Sequence, residues 1–263
     1  MISGFFLVHK DSGISSSRVV QILKKKFNFS KVGHLGTLDP MATGLLIIAI
    51  NRATKFASLL LQSEKSYRAE VTLGIQTDTD DVEGEAISFK DVNINEYEVE
   101  ETLLTFIGES NQLPPYYSAL KYKGKPMYKY ARDGIKVKKA PRQITIKNIQ
   151  NIEIELPKVS FDIQCSKGTY IRSIARDLGL RLGCGAHLSQ LIRTSQEKFM
   201  LTDACSIDDI SLEKLISLED AFKDLDFVQL NERDGKAFIH GRSIKTDFDH
   251  INLLRVYDAN NQF

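Results

Sequence analysis

Residues 33–44, which read GHLGTLDPMATG, place one carboxylate among residues that bend the backbone. The glycines allow sharp turns, and Pro40 restricts the backbone of Asp39 directly before it. Residues 45–50 are all apolar, a run whose length is typical of a buried strand. Such a strand would seat Asp39 at the edge of a rigid core, partly shielded from water. We interpret the segment as a site whose reactive group is this carboxylate.

An Asp directly before a Pro is also typical of a helix start. Asp39 would then be the N-cap and Pro40 would occupy the first helical position. The segment by itself leaves both interpretations open, and other parts of the chain must decide between them.

The elements that must position this site form an irregular mixture of helices and strands. Capping residues and apolar periodicity predict helices over residues 15–27, 54–61, 97–108 and 168–183. Alternating or continuous apolar patterns predict strands over residues 45–50, 67–73, 144–146, 159–163 and 186–193. Leu-Pro-Pro at residues 113–115 begins an insertion, residues 113–143, that we expect to lie outside the main sheet.

The length of 263 residues and the apolar share of 42% suffice for one large domain with a substantial core and a smaller one. We expect the large domain over residues 1–225. The composition shifts after Ala221, and residues 226–263 form a short piece near the lower limit for an independent core. This piece should lean on the large domain or form the start of a small β-domain.

The net charge of +1 hides a segregation of charge along the chain. Residues 121–142 contain nine Lys or Arg and a single acid, and tyrosines accompany them at positions 116, 117, 122, 128 and 130. Residues 203–226 reverse the balance, with eight acids against two lysines. A basic stretch with tyrosines can neutralise phosphates and offer rings to unstacked bases, which favours RNA binding. A solvated surface loop is the alternative for this stretch taken alone.

The cysteines indicate a reducing compartment, and the first residues bear on targeting. Cys165, Cys184 and Cys205 show no CxxC spacing and no clustered His that would complete a zinc site. The apolar run at residues 5–8 is followed at once by His-Lys-Asp, which fits neither a signal peptide nor a membrane span. We therefore expect a cytoplasmic protein without membrane association.

Four separated segments resemble the bacterial tRNA pseudouridine synthases of the TruB type. They are residues 10–17, 33–44, 65–74 and 165–193. The most specific motifs are GHLGTLDP in the second segment and SKGTYIR in the fourth. Asp11 departs from the family pattern, which usually has proline after the lysine. The resemblance implies an isomerase that converts the uridine at position 55 of the tRNA T-loop into pseudouridine.

The resemblance implies covalent chemistry at Asp39, because the reaction breaks the bond from C1′ of the ribose to N1 of uracil and re-forms it to C5. Asp39 either adds to C1′ as a nucleophile or helps to generate a glycal, and both routes require it ionised. The family places Arg172 beside this acid, where a cation holds down its pKa. Tyr67 matches the active-site tyrosine that stacks on the target base. Without the resemblance, we would interpret Arg172 as a surface arginine or as one bound to an RNA phosphate, and Tyr67 as an aromatic packed in the core.

The resemblance also implies substrate-binding residues. Tyr170 matches a pocket residue, and Leu191 matches the side chain that closes the other face of the pocket. A base inside folded RNA must be extruded before it can react, and His34 would enter the gap that it leaves. That role is positional rather than acid–base. Lys10, Lys121 and Lys123 complete the predicted substrate contacts.

A cluster of acids follows the predicted strand 67–73. Its spacing lacks the glycine and the terminal glutamate of an EF-hand, so we interpret it as a solvated loop near the site. The cluster consists of Asp78, Asp80, Asp81, Glu83 and Glu85. The reaction implied by the resemblance needs no metal, nucleotide cofactor or energy source, and we expect no cofactor.

The resemblance implies an α+β pseudouridine synthase fold with a mixed, mainly antiparallel central sheet flanked by helices and loops, plus a short C-terminal PUA-like piece. The expected partner is the T-arm of tRNA, bound by a monomer without an obligatory protein partner. Two alternatives stay open, a non-catalytic RNA-binding or RNA-folding module and a guide-RNA-dependent enzyme of the same family. The intact Asp39, Tyr67 and Arg172 argue against the first, and the short C-terminal piece argues against the second.

Overall fold

The structure is a computed structural model that describes residues 2–61, 63–118, 120–135, 137, 140–245 and 253–263. In chain order its strands are β1 (Gly4–Lys10), β2 (Val32–His34), β3 (Thr43–Ile50), β4 (Lys65–Leu73), β5 (Ile75–Thr77), β6 (Ala86–Phe89), β7 (Gly108–Gln112), β8 (Lys121–Tyr122), β9 (Lys125–Pro126), β10 (Arg142–Glu155), β11 (Lys158–Cys165), β12 (Ala186–Gln196), β13 (Phe199–Met200), β14 (Ile216–Ser217), β15 (Phe227–Gln229) and β16 (Arg255–Tyr257). Its α-helices are α1 (Ser16–Phe27), α2 (Ala57–Leu61), α3 (Glu96–Leu104), α4 (Met127–Arg132), α5 (Ile171–Arg181), α6 (Leu218–Ala221) and α7 (Glu232–Ile239). Short 3-10 helices cover Asn51–Phe56, Leu201–Asp203 and Leu212–Lys214.

One large sheet organises these elements. Its strands run in the order β14, β1, β3, β12, β4, β11, β10 and β7, with β2 paired to β3 and β13 paired to β12. The pair β3–β12 is parallel and the other pairs of this sheet are antiparallel. The predicted α+β class with a mixed, mainly antiparallel sheet is therefore confirmed.

Both faces of the sheet are covered where β1 and β3 lie. Phe6 and Val8 of β1 pack in a large core with α1, α3 and α5, whereas Phe5 and Leu7 pack in a second core with α2 and α6. Successive side chains of a strand point to opposite faces, so a strand covered on both faces is apolar throughout. This explains the continuous apolar run of β3, whose buried residues keep the site loop on a rigid support.

Most of the predicted elements that support the site are confirmed. In α1, the Ser15 side chain accepts a hydrogen bond from the Arg18 amide as the N-cap, and lysines occupy the last turn, where they suit the helix dipole. The helix α5 and the strands β3, β4, β11 and β12 also lie where the sequence predicted them. Local patterns sufficed for these elements because capping and apolar periodicity agree with their burial.

Two predicted boundaries are wrong. The helix α3 ends at Leu104, and Gly108 begins the edge strand β7 instead of closing the helix. The strand β10 runs over Arg142–Glu155, far beyond the three residues predicted. The prediction was too short because many residues of this strand face solvent and carry polar side chains, so they show no apolar pattern. Pairing with β11 holds this long strand in the sheet, and that pairing is a tertiary contact.

The insertion, in its described part, lies outside the large sheet until β10 begins. It forms the separate two-stranded sheet β8–β9 and the helix α4. The C-terminal piece contains α7 and the parallel pair β15–β16. The Tyr257 hydroxyl donates a hydrogen bond to Glu219 at 2.6 Å, which ties this piece to α6. In the described part of the chain, no helix has the length and apolarity that crossing a membrane requires.

Gly44 allows β3 to approach β12. Its φ is +100°, and a Cβ atom there would lie 2.4 Å from the carbonyl oxygen of Arg193. We expect Gly44→Ala to lower the free energy of unfolding by about 2–4 kcal/mol, because it adds a clash to an unfavourable backbone angle. Urea denaturation measures this change.

Gly183→Ala is the matched control, because its φ is +78° and no atom lies within 4 Å of the added Cβ. That variant should lose only about 1 kcal/mol. Equal losses in the two variants would contradict the argument from close approach.

Candidate active site

A cavity of about 920 Å³ opens where the loop of Asp39, the insertion and the start of α5 meet a fourth segment. This segment is the loop at residues 78–85 that carries the cluster of five acids, and we call it the acidic loop. The structure brings six of the predicted site residues to its wall, namely His34, Asp39, Tyr67, Tyr170, Arg172 and Leu191. Pockets of roughly 300–1,000 Å³ accommodate small molecules, and the volume of this cavity is within that range. The predicted residues Lys10 and Lys123 are not part of this wall.

Asp39 lies in a loop and not at a helix start. The strand β3 begins at Thr43, so the chain enters the sheet directly after this loop and the N-cap interpretation is wrong. The Asp39 side chain is 31% exposed, and its carboxylate contacts a guanidinium. The carboxylate is therefore open to the cavity and available for chemistry.

Residues 10–16 hold this loop in place. The Lys10 ammonium donates hydrogen bonds to the carbonyl oxygens of Asp11, Ile14 and Pro40 at 2.7–3.1 Å. The Ser16 hydroxyl donates to the Leu38 carbonyl and accepts from the Leu38 amide. The motif segment at residues 10–17 thus fixes the backbone on both sides of Asp39 through hydrogen bonds.

The placement of Lys10 corrects the predicted substrate contact. Lys10 is fully buried, and its three hydrogen bonds use all the protons of an ammonium. Burial lowers the pKa of Lys10 to about 8, although the nearby Asp39 opposes the shift. This lysine supports the loop instead of reaching toward RNA.

Arg172 pairs with Asp39 as the sequence resemblance implied. Its Nε lies 2.9 Å from Asp39 Oδ2, and its Nη2 donates to Asp39 Oδ1 at 3.1 Å. The same guanidinium donates to the carbonyl oxygens of Thr79 and Tyr117. Its side chain is only 5% exposed, so Arg172 is a buried junction between the Asp39 loop, the acidic loop and the insertion.

Two opposing effects set the protonation of Asp39. Burial raises the pKa of Asp39 above its ordinary value, and the two-point contact with Arg172 acts against this rise. The carboxylate of Asp81 also raises the pKa, because it is a second negative charge nearby. Arg172 therefore favours the ionised form of Asp39, and the charge of Lys10 acts in the same direction to a smaller extent.

The acidic loop is not solvated throughout, which corrects our interpretation of that cluster. Asp80 and Asp81 are buried. Asp81 Oδ2 lies 3.3 Å from Arg172 Nη1, and Asp80 Oδ2 lies 3.1 Å from Arg176 Nη1. Both arginines project from α5 one turn apart, so the helix holds the loop through paired charges. Among the described residues, no group of three or more His, Cys, Asp or Glu is arranged to hold a metal ion.

Tyr67 and Leu191 come from the neighbouring strands β4 and β12, and both side chains are buried against the cavity. Burial raises the pKa of Tyr67 to about 12, so its hydroxyl keeps its proton at neutral pH. Tyr170 precedes α5, where its amide donates to Gln112 Oε1 and its carbonyl accepts from Gln112 Nε2. These three side chains contribute apolar and aromatic surface to the wall.

His34 lies at the end of β2 and is half-buried at the cavity. Burial lowers the pKa of His34, and the positive charge of Arg193 acts in the same direction. The ring is therefore neutral at physiological pH. This state agrees with a positional role and does not favour an acid role.

The basic insertion is described in part. The Lys123 ammonium lies 5.6 Å from the centre of the Tyr122 ring, and Lys125 pairs with Asp133 at 2.9 Å. The side chain of Lys121 lies outside the described residues, as do Lys136, Lys138 and Lys139 of the predicted basic stretch. The exposed position of Lys123 is compatible with an RNA contact.

Sequence reasoning missed Arg193 and the buried pair of acids. Arg193 is fully buried beside Tyr67, and it lines the cavity. A charged residue two positions after the buried Leu191 in a strand was an available signal, because the two side chains share a face. Asp80 and Asp81 gave no such signal, since a row of acids has the same sequence whether it is solvated or paired.

Comparisons with known proteins identify the class of this fold. A solved structure described as a Cbf5-Nop10-Gar1 complex matches with a TM-score of 0.72 and 26% identity, covering 98% of this chain and 76% of that chain. The large mixed sheet of this chain is therefore the fold of that solved protein.

Sequence comparisons identify the family. The model of the TruB family pseudouridylate synthase N-terminal domain matches residues 24–171, and that of the tRNA pseudouridylate synthase B C-terminal domain matches residues 172–228. A protein of Alkaliphilus oremlandii named tRNA pseudouridine synthase B is 46% identical over 86% of this chain and 75% of its own length. One of the same name from Francisella tularensis is 44% identical over 98% of this chain and 88% of its own length. This chain belongs to the TruB family of pseudouridylate synthases.

Proposed function

We propose that this protein is an isomerase that converts uridine to pseudouridine in tRNA, at position 55 of the T-loop. The observation that carries the proposal is the pair of Asp39 and Arg172 at the wall of a cavity of about 920 Å³. Related proteins of 44–46% identity bear the name tRNA pseudouridine synthase B, which supports the same substrate class.

The residues around the cavity match the needs of this reaction. Asp39, kept ionised by Arg172, acts at C1′ of the ribose, and the bond to N1 of uracil breaks. The freed base rotates within the cavity and C5 attaches to C1′. C5 then loses its proton and N1 gains one, so the product is an isomer of the substrate. Tyr67, Tyr170 and Leu191 supply apolar and aromatic surface that holds the base during this rotation. Nucleophilic addition and glycal formation are both compatible with this arrangement.

Access to the base requires that it leave the tRNA fold. Extrusion of a base costs a few kcal/mol, and contacts in the pocket recover part of that free energy. His34 lies at the same cavity and is neutral, so it can fill the gap in the T-loop without introducing a charge. The basic insertion lies next to the cavity through Tyr117 and Ser118, and it supplies the cations that bind phosphates.

The test uses an unmodified tRNA transcript incubated with the purified protein alone. Carbodiimide treatment followed by primer extension maps each pseudouridine as a stop. We expect one new stop at position 55 of the T-loop, and a transcript with cytidine at that position is the matched control. A stop elsewhere would contradict the proposed position, and the absence of any stop would contradict the proposed activity.

The same experiment separates the proposal from the guide-dependent alternative. The solved structure that matches this fold is described as a complex of three proteins, so assembly with partners is a property of that protein. We propose that this chain acts without a guide RNA or a partner protein, as a cytoplasmic monomer. Activity of the isolated chain on the unmodified tRNA transcript supports action without a guide RNA or a partner. Activity that appears only after addition of a guide RNA contradicts it.

The lysines of the insertion should contribute to RNA affinity. We expect replacement of Lys121, Lys123 and Lys125 together by Ala to weaken tRNA binding and to reduce the salt dependence of the dissociation constant. Loss of three phosphate contacts would make the slope of the logarithm of the association constant against the logarithm of the salt concentration less steep by about 2–3. Filter binding at several salt concentrations measures both quantities.

Lys214→Ala combined with Lys223→Ala is the control, because these lysines lie in the acidic stretch at residues 203–226. This control should bind tRNA with the wild-type salt slope. An unchanged slope in the triple variant would remove the insertion from the RNA interface.

A further inference from the structure

Gln112 is a buried polar residue at the end of an exposed strand. The strand β7 lies at one edge of the large sheet, and residues 108–111 of this strand are exposed or only half-buried. Gln112, the last residue of the strand, is only 3% exposed. A carboxamide is costly to bury unless hydrogen bonds satisfy it. The partners of this side chain therefore explain why a glutamine can occupy the position.

The Gln112 side chain binds the backbone of Tyr170 at two points. Its Nε2 donates to the Tyr170 carbonyl at 3.0 Å, and its Oε1 accepts from the Tyr170 amide at 2.8 Å. Tyr170 directly precedes α5 and has an extended backbone, with a φ of −102° and a ψ of 112°. The carboxamide therefore makes the pair of hydrogen bonds that the backbone of an adjacent strand would make to an extended residue.

This pairing requires an uncharged donor and an uncharged acceptor side by side. The carboxamide of Asn or Gln has both, whereas an ionised carboxylate only accepts and an ammonium or a guanidinium only donates. Asparagine is shorter by one methylene group and would stop short of Tyr170 from the same backbone position. The contact at Gln112 is therefore specific for glutamine in both its length and its hydrogen-bonding pattern.

The residue after Gln112 is attached to the same helix. The Leu113 carbonyl accepts from the Ser173 hydroxyl at 3.0 Å and from Arg176 Nη2 at 2.9 Å. These contacts hold the first two turns of α5, while Gln112 holds the residue directly before the helix. Of these five residues, Tyr170 is the one that lines the cavity. The junction between β7 and α5 thus reaches the cavity through Tyr170.

We propose that Gln112 is a positioning residue, which fixes the backbone of Tyr170 so that the Tyr170 ring stays at the cavity wall and packs against the flipped base. Gln112 acts through Tyr170 and does not itself touch the nucleoside. The proposal rests on the proposed function, since it specifies how that site holds its base during rotation.

A double-mutant cycle tests this role. Gln112→Met keeps an unbranched side chain of similar length but removes both hydrogen bonds to Tyr170. Tyr170→Leu removes the ring and keeps the backbone groups that Gln112 binds. We expect Gln112→Met to lower the single-turnover rate at saturating tRNA by about tenfold in the wild-type background and by less than about twofold in the Tyr170→Leu background. Equal factors in the two backgrounds would overturn the proposal.

The dissociation constant for tRNA separates positioning of Tyr170 from attachment of the insertion. Gln112 directly precedes the insertion, so a role limited to that segment would change the affinity for RNA instead of the rate. If Gln112 acts through the ring, the dissociation constant of Gln112→Met should stay within about threefold of the wild type. A weaker affinity with an unchanged rate at saturation would overturn the proposal.

Phe199→Leu is the control for lost stability, because Phe199 is buried in the core on the other face of the sheet. It should lower the free energy of unfolding, measured by urea denaturation, and leave the rate unchanged in both backgrounds.

A second measurement holds if Gln112→Met does not fold. Tyr170→Leu alone must lower the single-turnover rate at saturating tRNA, because the proposal assigns a function to the ring. A wild-type rate in Tyr170→Leu would overturn the proposal, whereas an inactive wild-type protein would instead overturn the proposed function.

Discussion

Asp39→Asn should abolish pseudouridine formation while tRNA binding persists. The amide has nearly the shape of the carboxylate but cannot ionise, so both chemical routes open to Asp39 are lost. We expect the single-turnover rate to fall by at least about 10⁴-fold, with the dissociation constant for tRNA within about threefold of the wild type. Primer extension after carbodiimide treatment measures the rate, and filter binding measures the affinity.

The fold should tolerate this substitution. Arg172 keeps the Asp81 carboxylate and the carbonyl oxygens of Thr79 and Tyr117 as partners, so its charge stays compensated. Asp78→Asn is the matched control, because it makes the same chemical change at an exposed residue of the acidic loop. That control should turn over like the wild type. Turnover by Asp39→Asn at a comparable rate would remove the central residue of the proposed function.

Arg172→Met should weaken both folding and catalysis. The substitution leaves Asp39 and Asp81 without their shared cation and leaves the carbonyl oxygens of Thr79 and Tyr117 without a donor. Removal of one member of a buried ion pair costs about 3–5 kcal/mol of unfolding free energy. The pKa of Asp39 should rise further, since burial persists and the opposing charge is gone.

The sign of the pH dependence follows from this rise. A carboxyl whose pKa is raised in the folded state binds its proton more tightly when folded, so the folded variant is favoured at acid pH. The stability deficit of Arg172→Met relative to the wild type should therefore widen as the pH rises from acid to neutral. The acid limb of its single-turnover rate should move to higher pH. Urea denaturation and the rate measured across pH test the two statements.

Arg176→Met is the control for this prediction. Arg176 lies one turn further along α5, pairs with Asp80 and donates to the Leu113 carbonyl. Its loss should also reduce stability, because it removes the buried ion pair with Asp80 and the hydrogen bond to the Leu113 carbonyl. Asp39 is not among its contacts, so the acid limb should stay where the wild type has it. An identical shift of the limb in both variants would show that general destabilisation, and not Arg172, controls the ionisation of Asp39.

The two arginines of α5 connect the acidic loop and the insertion to this helix. Arg172 joins the acidic loop to the Tyr117 carbonyl, and Arg176 joins it to the Leu113 carbonyl. Each guanidinium donates in several fixed directions, which a lysine cannot do. The base of the insertion is therefore fastened to the same helix that contacts Asp39.

Local sequence was sufficient for the elements that support the Asp39 loop, but it left the role of Asp39 itself open between a site residue and a helix cap. Asp39 stands out because glycines and a proline surround it, and the apolar run of β3 indicates a buried strand whatever its neighbours are. The helix α1 is likewise encoded locally, by the Ser15 cap and the lysines of its last turn. These features depend on backbone preferences and on periodicity within one segment.

Residue roles that depend on a distant partner were decided only by the tertiary structure. Lys10 supports the Asp39 loop because the Pro40 carbonyl accepts a hydrogen bond from its ammonium. Asp81 can be buried because the charge of Arg172 compensates its own. Arg193 lies beside Tyr67 because the register of β12 and β4 pairs the two residues. A charged side chain has the same sequence signature in solvent and in a core, and only the position of its counter-charge or acceptor determines which environment it can occupy.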